Sequence, residues 1–220
     1  MLVTRNAIDW FFAPLFAAMV MVAPPASAQG TPGLFGTIEV KKTDLKPFPK
    51  WTDVLGKAKA EAEKNSGECK VTAEEKCYYR TWTRFVESIR SLDKLAQINK
   101  VNDFLNQAKY VVDEVNWQVD DYWATPGQFF SRFGDCEDYA IAKYLTLAML
   151  GFDNDTTRVV VVQDLNLKVP HAVLAVLIDG KTWILDNQIK QVIEAEKIKH
   201  YRPVYSVNGQ SWWLHRAAGS

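Results

Sequence analysis

The feature that most constrains the fold is a segregation along the chain. Helical periodicity fills residues 50–115, strand signals fill residues 158–207, and a single glycine-to-helix junction lies between them. Trp51, Val54, Leu55 and Ala58 recur at helical spacing, and Trp82, Phe85, Val86 and Ile89 repeat the stripe in a helix predicted over 79–89. Ser91 is a candidate N-cap for a third segment carrying Leu92, Leu95, Ala96 and Ile98. A fourth helix is predicted through Val101, Phe104, Leu105, Ala108, Val111, Val112 and Val115. None of these stripes is basic-amphipathic, so they read as core-forming faces rather than membrane surfaces. Residues 120–133 break the pattern with a turn-rich, aromatic loop, Asp121-Tyr122-Trp123-Ala124-Thr125-Pro126-Gly127. That loop is either packing alone or a wall beside the junction that follows.

Beyond the junction, the four valines within residues 158–163 mark a strand buried on both faces. Residues 171–178 and 181–186 flank Asp179-Gly180, a two-residue hairpin signal, and 203–207 is a last candidate strand. A short strand is also expected at 37–40, within the Gly-, Pro-, Lys- and Thr-rich lead-in of residues 29–49. Helices first and strands afterwards is the α+β pattern.

The first segment stands outside this fold. Arg5 gives a weak positive start, residues 11–22 are apolar apart from Pro14, and Pro24-Pro25-Ala26-Ser27-Ala28 ends on the small-x-small pattern of a signal peptidase site. The apolar run is short for a membrane anchor and ends in prolines. Residues 1–28 are therefore expected to be a cleaved signal peptide, and 29–220 a single exported, periplasmic domain with no membrane insertion after cleavage. The chain is 220 residues long and 48% hydrophobic, enough for one core, and its formal net charge of zero leaves no basic footprint for nucleic acid.

Export changes the cysteine count. Cys69 and Cys77 lie in a polar stretch and are expected to pair as a local disulfide in an oxidising compartment. Cys136 is left over, inside Gly134-Asp135-Cys136-Glu137-Asp138-Tyr139. If a helix starts near Cys136, its dipole and free N–H groups favour a thiolate and can donate to an oxyanion. The neighbouring Asp135, Glu137 and Asp138 push the thiol the other way, so something cationic should offset them. Three carboxylates in four residues suit a hard cation such as calcium, and suit equally a helix N-terminus that needs caps.

The hairpin supplies partners. A two-residue turn at Asp179-Gly180 pairs Ile178 with Lys181 and Val173 with Asp186. His171 shares the face of Val173, so His171 and Asp186 become diagonal neighbours, roughly 7–8 Å apart in backbone. An aspartate placed there can hold an imidazole as a general base. A register slip of one residue would separate them. His200 and His215 have no carboxylate that this reasoning can place, and they read as packed or exposed histidines.

The run Arg132-Phe133-Gly134-Asp135-Cys136-Glu137-Asp138-Tyr139-Ala140-Ile141-Ala142-Lys143-Tyr144 closely resembles the bacterial transglutaminase-like cysteine proteinases. Phe48-Pro49-Lys50-Trp51, the Asp121–Pro126 loop, Pro170-His171-Ala172-Val173-Leu174, Leu185-Asp186-Asn187 and Pro203-Val204-Tyr205-Ser206 extend the likeness over nearly all of residues 29–220. The resemblance implies a papain- or transglutaminase-like α+β fold, with helices and a nucleophile-bearing helix packed on an antiparallel sheet. It implies Cys136 as nucleophile, His171 as general base and Asp186 as its orienter, with calcium near the thiol held by Asp135 and Glu137 and Asp138 as a further candidate. In LapG-type members it implies a protein substrate, a large cell-surface adhesin cut to release a biofilm, and an inner-membrane cyclic-diguanylate receptor that sequesters the enzyme. The Cys69/Cys77 pair and residues 116–120 depart from the better-known members and bear on partner choice. Two rivals share the same residues: a transglutaminase or deamidase, and a non-catalytic module that binds an adhesin or receptor.

Overall fold

The computed structural model describes residues 33–64 and 78–218. Cys69, Cys77 and the expected signal peptide lie outside the described residues. The helices are α1 (Pro49–Lys64), α2 (Tyr78–Ile89), α3 (Lys94–Leu105), α4 (Asp113–Asn116), α5 (Pro126–Arg132) and α6 (Cys136–Met149). The strands are β1 (Ile38–Lys42), β2 (Thr157–Asp164), β3 (Pro170–Ile178), β4 (Lys181–Leu185), β5 (Ile193–Glu194), β6 (Tyr201–Val207) and β7 (Trp212–Arg216). They form one sheet in the order β1-β7-β6-β2-β3-β4-β5, antiparallel at every pairing.

The valine run explains why the sheet is covered on both sides. Val159 joins Ala172, Leu174, Val176 and Leu185 against α6 and the other helices, while Val160 and Val162 join Val173, Ala175 and Ile184 on the opposite face. That second face is closed by Leu34, Ala195, Ile198 and Tyr201. Helix α6 is buried nearly all round, from Asp138 to Leu147, which is why its sequence shows little amphipathic contrast. Trp51 from α1 packs in the same core and donates its indole N–H to Asn208 O at 2.8 Å.

The hairpin forms in the expected register, with Ile178 opposite Lys181 and Leu174 opposite Leu185. Asp179 and Gly180 both have positive φ, 50° and 77°, the requirement of the turn whose twist matches two paired strands.

Three expectations need correction. The third and fourth helical segments are one helix, α3, capped by Asp93 accepting from Ala96 N–H at 2.8 Å rather than by Ser91. It stops at Leu105 because tertiary hydrogen bonds take over. Asn106 Nδ2 donates to Asp186 O, Val111 N–H donates to Gly134 O, and Tyr110 forms a bridge with Gly134. Val112 and Val115 therefore lie outside that helix and are exposed. The 120–133 segment contains α5, whose start is signed by Thr125, Pro126 and Gln128 in a capping box with proline in its first turn. Strands β5 and β7 carried no clear alternation and were not expected; β7 exists through its pairing with β1 and β6.

Candidate active site

The junction is built by Asp138. It is fully buried and accepts Ala124 N–H at 2.7 Å and Asp135 N–H at 3.3 Å, tying the aromatic loop to the first turn of α6. Gly134 leaves room for this clamp, since a methyl group there would sit 2.1 Å from Asp138 Oδ2. Burial pushes the Asp138 carboxyl up to about 8.

Cys136 is the first residue of α6. Its thiol donates to Glu137 Oε2 at 3.1 Å, and the Ala172 N–H of β3 is near enough to the sulfur to favour its ionised form. The nucleophile candidate thus meets β3 one residue beyond His171. The competition seen in the sequence is decided against the thiolate. Burial first, then Glu137 and Asp135, push the thiol above its ordinary range, against the pull of Ala172 N–H. The helix start alone does not make a thiolate here.

His171 and Asp186 are both buried, and Nε2 lies 2.9 Å from Asp186 Oδ1. With Asp186 ionised, Nε2 carries the proton and donates, which leaves Nδ1 as the accepting nitrogen. Gln188 Nε2 is 3.4 Å from Nδ1. Asp186 accepts two further hydrogen bonds, from Gln188 N–H at 2.8 Å and Tyr201 O–H at 2.7 Å. Burial pushes this carboxyl upward, but the His171 bond and charge, with Gln188 N–H and Tyr201, outweigh it and hold it below its ordinary value.

The acids beside the thiol form a wider cluster than the sequence indicated. Oxygens of Asp113, Asp121 and Glu137 lie within 4.8 Å of one another, as do those of Asp113, Asp135 and Asp138, and Asp135, Cys136 and Glu137 form a third such group. Asp135 is pushed up to about 9 by burial and by the Glu137 charge, and Glu137 is itself raised by burial. Asp113 was missed because it falls in a stretch that read as a helix face, and Asp121 because it read as part of the aromatic loop. Asp113 accepts Tyr122 N–H through Oδ2, yet its Oδ1, like Asp135 Oδ1, is buried without a hydrogen-bond partner. Converging carboxylates with orphaned buried oxygens fit a hard cation.

His215 differs in detail from expectation. It is buried between Thr37 Oγ1 at 3.0 Å and Ser206 Oγ at 2.9 Å, with Glu39 at 3.8 Å, and it joins β1 to β6 and β7. Burial lowers it to about 4, so it stays neutral as a structural tie.

Residues 62–215 match the family model described as bacterial transglutaminase-like cysteine proteinase. Among solved structures, LapG of Legionella pneumophila is similar at 29% identity and a TM-score of 0.59, covering 74% of this chain and 86% of that one. Its calcium-bound form matches with the same values, and its EGTA-treated form at 28% identity and a TM-score of 0.60, over 76% and 86%. No curated protein sequence matches the chain. Among the described residues no helix is long and apolar enough to cross a membrane. The match spans well over half of the chain and takes in α2 to α6, β2 to β6, most of β7 and the cysteine junction: this protein belongs to the bacterial transglutaminase-like cysteine proteinases and is a cysteine peptidase.

Proposed function

We propose that the protein is an exported, calcium-dependent cysteine endopeptidase whose triad is Cys136, His171 and Asp186. The observation that carries this reading is the buried His171–Asp186 pair at 2.9 Å, with His171 next to Ala172, the β3 residue whose N–H favours ionisation of the Cys136 thiol. In this reading Nδ1 of His171 takes the thiol proton and the sulfur attacks a peptide carbonyl. Backbone N–H groups of the first turn of α6 receive the oxyanion. The imidazolium then protonates the leaving amine, and water, activated by the same imidazole, hydrolyses the thioester. Asp186 holds the imidazole in the tautomer with its proton on Nε2.

Asp135 and Glu137 are the proposed calcium ligands, with Asp113 and Asp121 placed to complete the oxygen set. Asp138 contributes less, because Ala124 and Asp135 N–H already engage its two oxygens. Bound calcium would supply the positive charge that this group of carboxylates lacks beside the thiol. Millimolar calcium is expected to raise the melting temperature, magnesium to do so much less, and Asp135→Asn with Glu137→Gln to erase the calcium shift. An equal shift in that double variant would contradict the assignment.

The exported domain is taken to be residues 29–220 after removal of 1–28, working in the periplasm with Cys69 and Cys77 paired. The substrate proposed is a polypeptide of a large surface adhesin, whose cleavage would release a biofilm. Control would fall to an inner-membrane cyclic-diguanylate receptor. The substrate and receptor rest on the resemblance to LapG-type members; export and the cysteine pairing rest on the pattern of residues 1–28 and on the cysteine count.

Incubating the mature domain with a peptide library in calcium, followed by mass spectrometry, tests the reaction. The expected products are new peptide termini that disappear with Cys136→Ala. A gain of about one mass unit with release of ammonia would make the enzyme a deamidase, and cross-linked peptides would make it a transglutaminase. No Cys136-dependent product, with receptor or adhesin binding intact in Cys136→Ala, would make it a binding module.

A further inference from the structure

We propose that Tyr201 is a positioning residue of the triad: its hydroxyl, acting through Asp186, fixes the plane of that carboxylate and so the direction of the His171 imidazole. The inference rests on the triad reading above. Asp186 is 1% exposed, so water cannot stand in for a missing partner. Two of its hydrogen bonds, from His171 Nε2 and Gln188 N–H, fall on Oδ1. Two bonds to one oxygen leave rotation about the Cβ–Cγ bond poorly determined, because that torsion has a broad, shallow profile. The Tyr201 hydroxyl, 2.7 Å from Oδ2, is the bond that restrains the second oxygen.

Tyr201 is well placed to act as a fixed stop. It opens β6 and pairs with Asp164 of β2, while Leu165 N–H donates to the carbonyl of the preceding His200. Its ring is 5% exposed, meets Phe35 edge-on at 6.2 Å and His200 at 4.5 Å, and lies 5.7 Å from the His171 ring. The same side chain therefore covers the imidazole and anchors its acid. Lys143 faces Asp186 electrostatically from α6 but its Nζ makes no hydrogen bond, so it cannot replace the hydroxyl. The phenol stays protonated at working pH because burial, and then the Asp186 charge, push its ionisation far up.

The test uses the mature protein in saturating calcium and reads iodoacetamide alkylation of Cys136 by mass spectrometry at neutral pH. Tyr201→Phe keeps the ring and deletes only the hydroxyl. It is expected to slow alkylation about tenfold, the size of one hydrogen-bond contribution. In an Asp186→Ala background the same substitution should change the rate less than twofold, because a residue acting through Asp186 has nothing left to act on. A Tyr201→Phe rate within twofold of the native one overturns the proposal, and so does an undiminished tenfold loss in the Asp186→Ala background. If Asp186→Ala alone leaves alkylation unchanged, the triad reading fails first and takes the proposal with it. Melting curves on all three variants separate these outcomes from loss of fold, which would lower the melting temperature without this dependence on background.

Discussion

Cys136→Ala is expected to abolish peptidase activity, a loss on the order of 10⁴-fold or more, at almost no cost in stability. The thiol sits at the start of α6, among acids that oppose its ionisation; it donates one hydrogen bond, to Glu137, and the Ala172 N–H pulls its ionisation the other way. Alanine suits the first helical turn and leaves no charge without a partner, so the stability change should stay below about 1 kcal/mol. His171→Ala should remove activity to a similar degree and also cost stability. Asp186 is buried and loses its strongest partner, retaining only Gln188 N–H and the Tyr201 hydroxyl. Breaking a buried pair from one side costs about 3–5 kcal/mol, and the two surviving bonds favour the low end. In a domain of this size that lowers the melting temperature by roughly 6–12 °C. The pH dependence has a definite sign. Asp186 is held below its unfolded value, so the stability it gains from its partners is present above about pH 4. It is lost as pH falls through the folded value. The stability gap between the native protein and His171→Ala should therefore narrow in strong acid. Equal melting temperatures for the two at pH 7 would contradict the pair's structural weight.

Lys143→Met should do the opposite and stabilise the protein. Lys143 is fully buried on α6, its Nζ has no hydrogen-bond partner, and burial lowers it to about 7 despite the attraction of Asp186. Unfolded, the same amine titrates near 10.4. Between those values the unfolded chain holds a proton that the folded chain does not, so the native protein gains stability as pH rises. Below about pH 7 both states are protonated and the full cost of the buried charge is present, at most about 5 kcal/mol. Methionine fills the same volume without that cost. The variant's gain in melting temperature should be largest at pH 6–7 and fade toward pH 10. No gain at pH 7, or a gain that grows with pH, would show that Nζ is solvated or paired.

The parts of this fold that follow from local chemistry are legible in the chain, and the parts that follow from tertiary hydrogen bonds are not. Asp179-Gly180 dictates a turn with two positive φ angles, and that turn alone carries the register bringing His171 to Asp186. The cysteine junction is similarly local, since helix α6 begins at Cys136 with acids in its first turn. The end of α3 is different. Nothing in the run from Val101 to Val115 reveals that Asn106 will bond Asp186 O or that Val111 will bond Gly134 O. Asp113 and Asp121 enter the acidic cluster for the same reason: the chain returns to the nucleophile through contacts with no sequence period. Tyr201 carried no signal because its partner, Asp186, lies 15 residues away, just past the end of β4. Helix α5 is the exception, for Thr125, Pro126 and Gln128 spelled a capped start inside a segment that its aromatic residues made look like a loop.

The most direct test of the central claim, that Cys136 and His171 act as one unit, needs no substrate. Native protein and His171→Ala, both in saturating calcium at pH 7, would be treated with iodoacetamide and the alkylated cysteine located by mass spectrometry. A paired nucleophile predicts a single modified residue, Cys136, and a rate that falls by at least tenfold when the imidazole is removed. The same rate in both proteins, or modification elsewhere while Cys136 stays intact, would contradict the account.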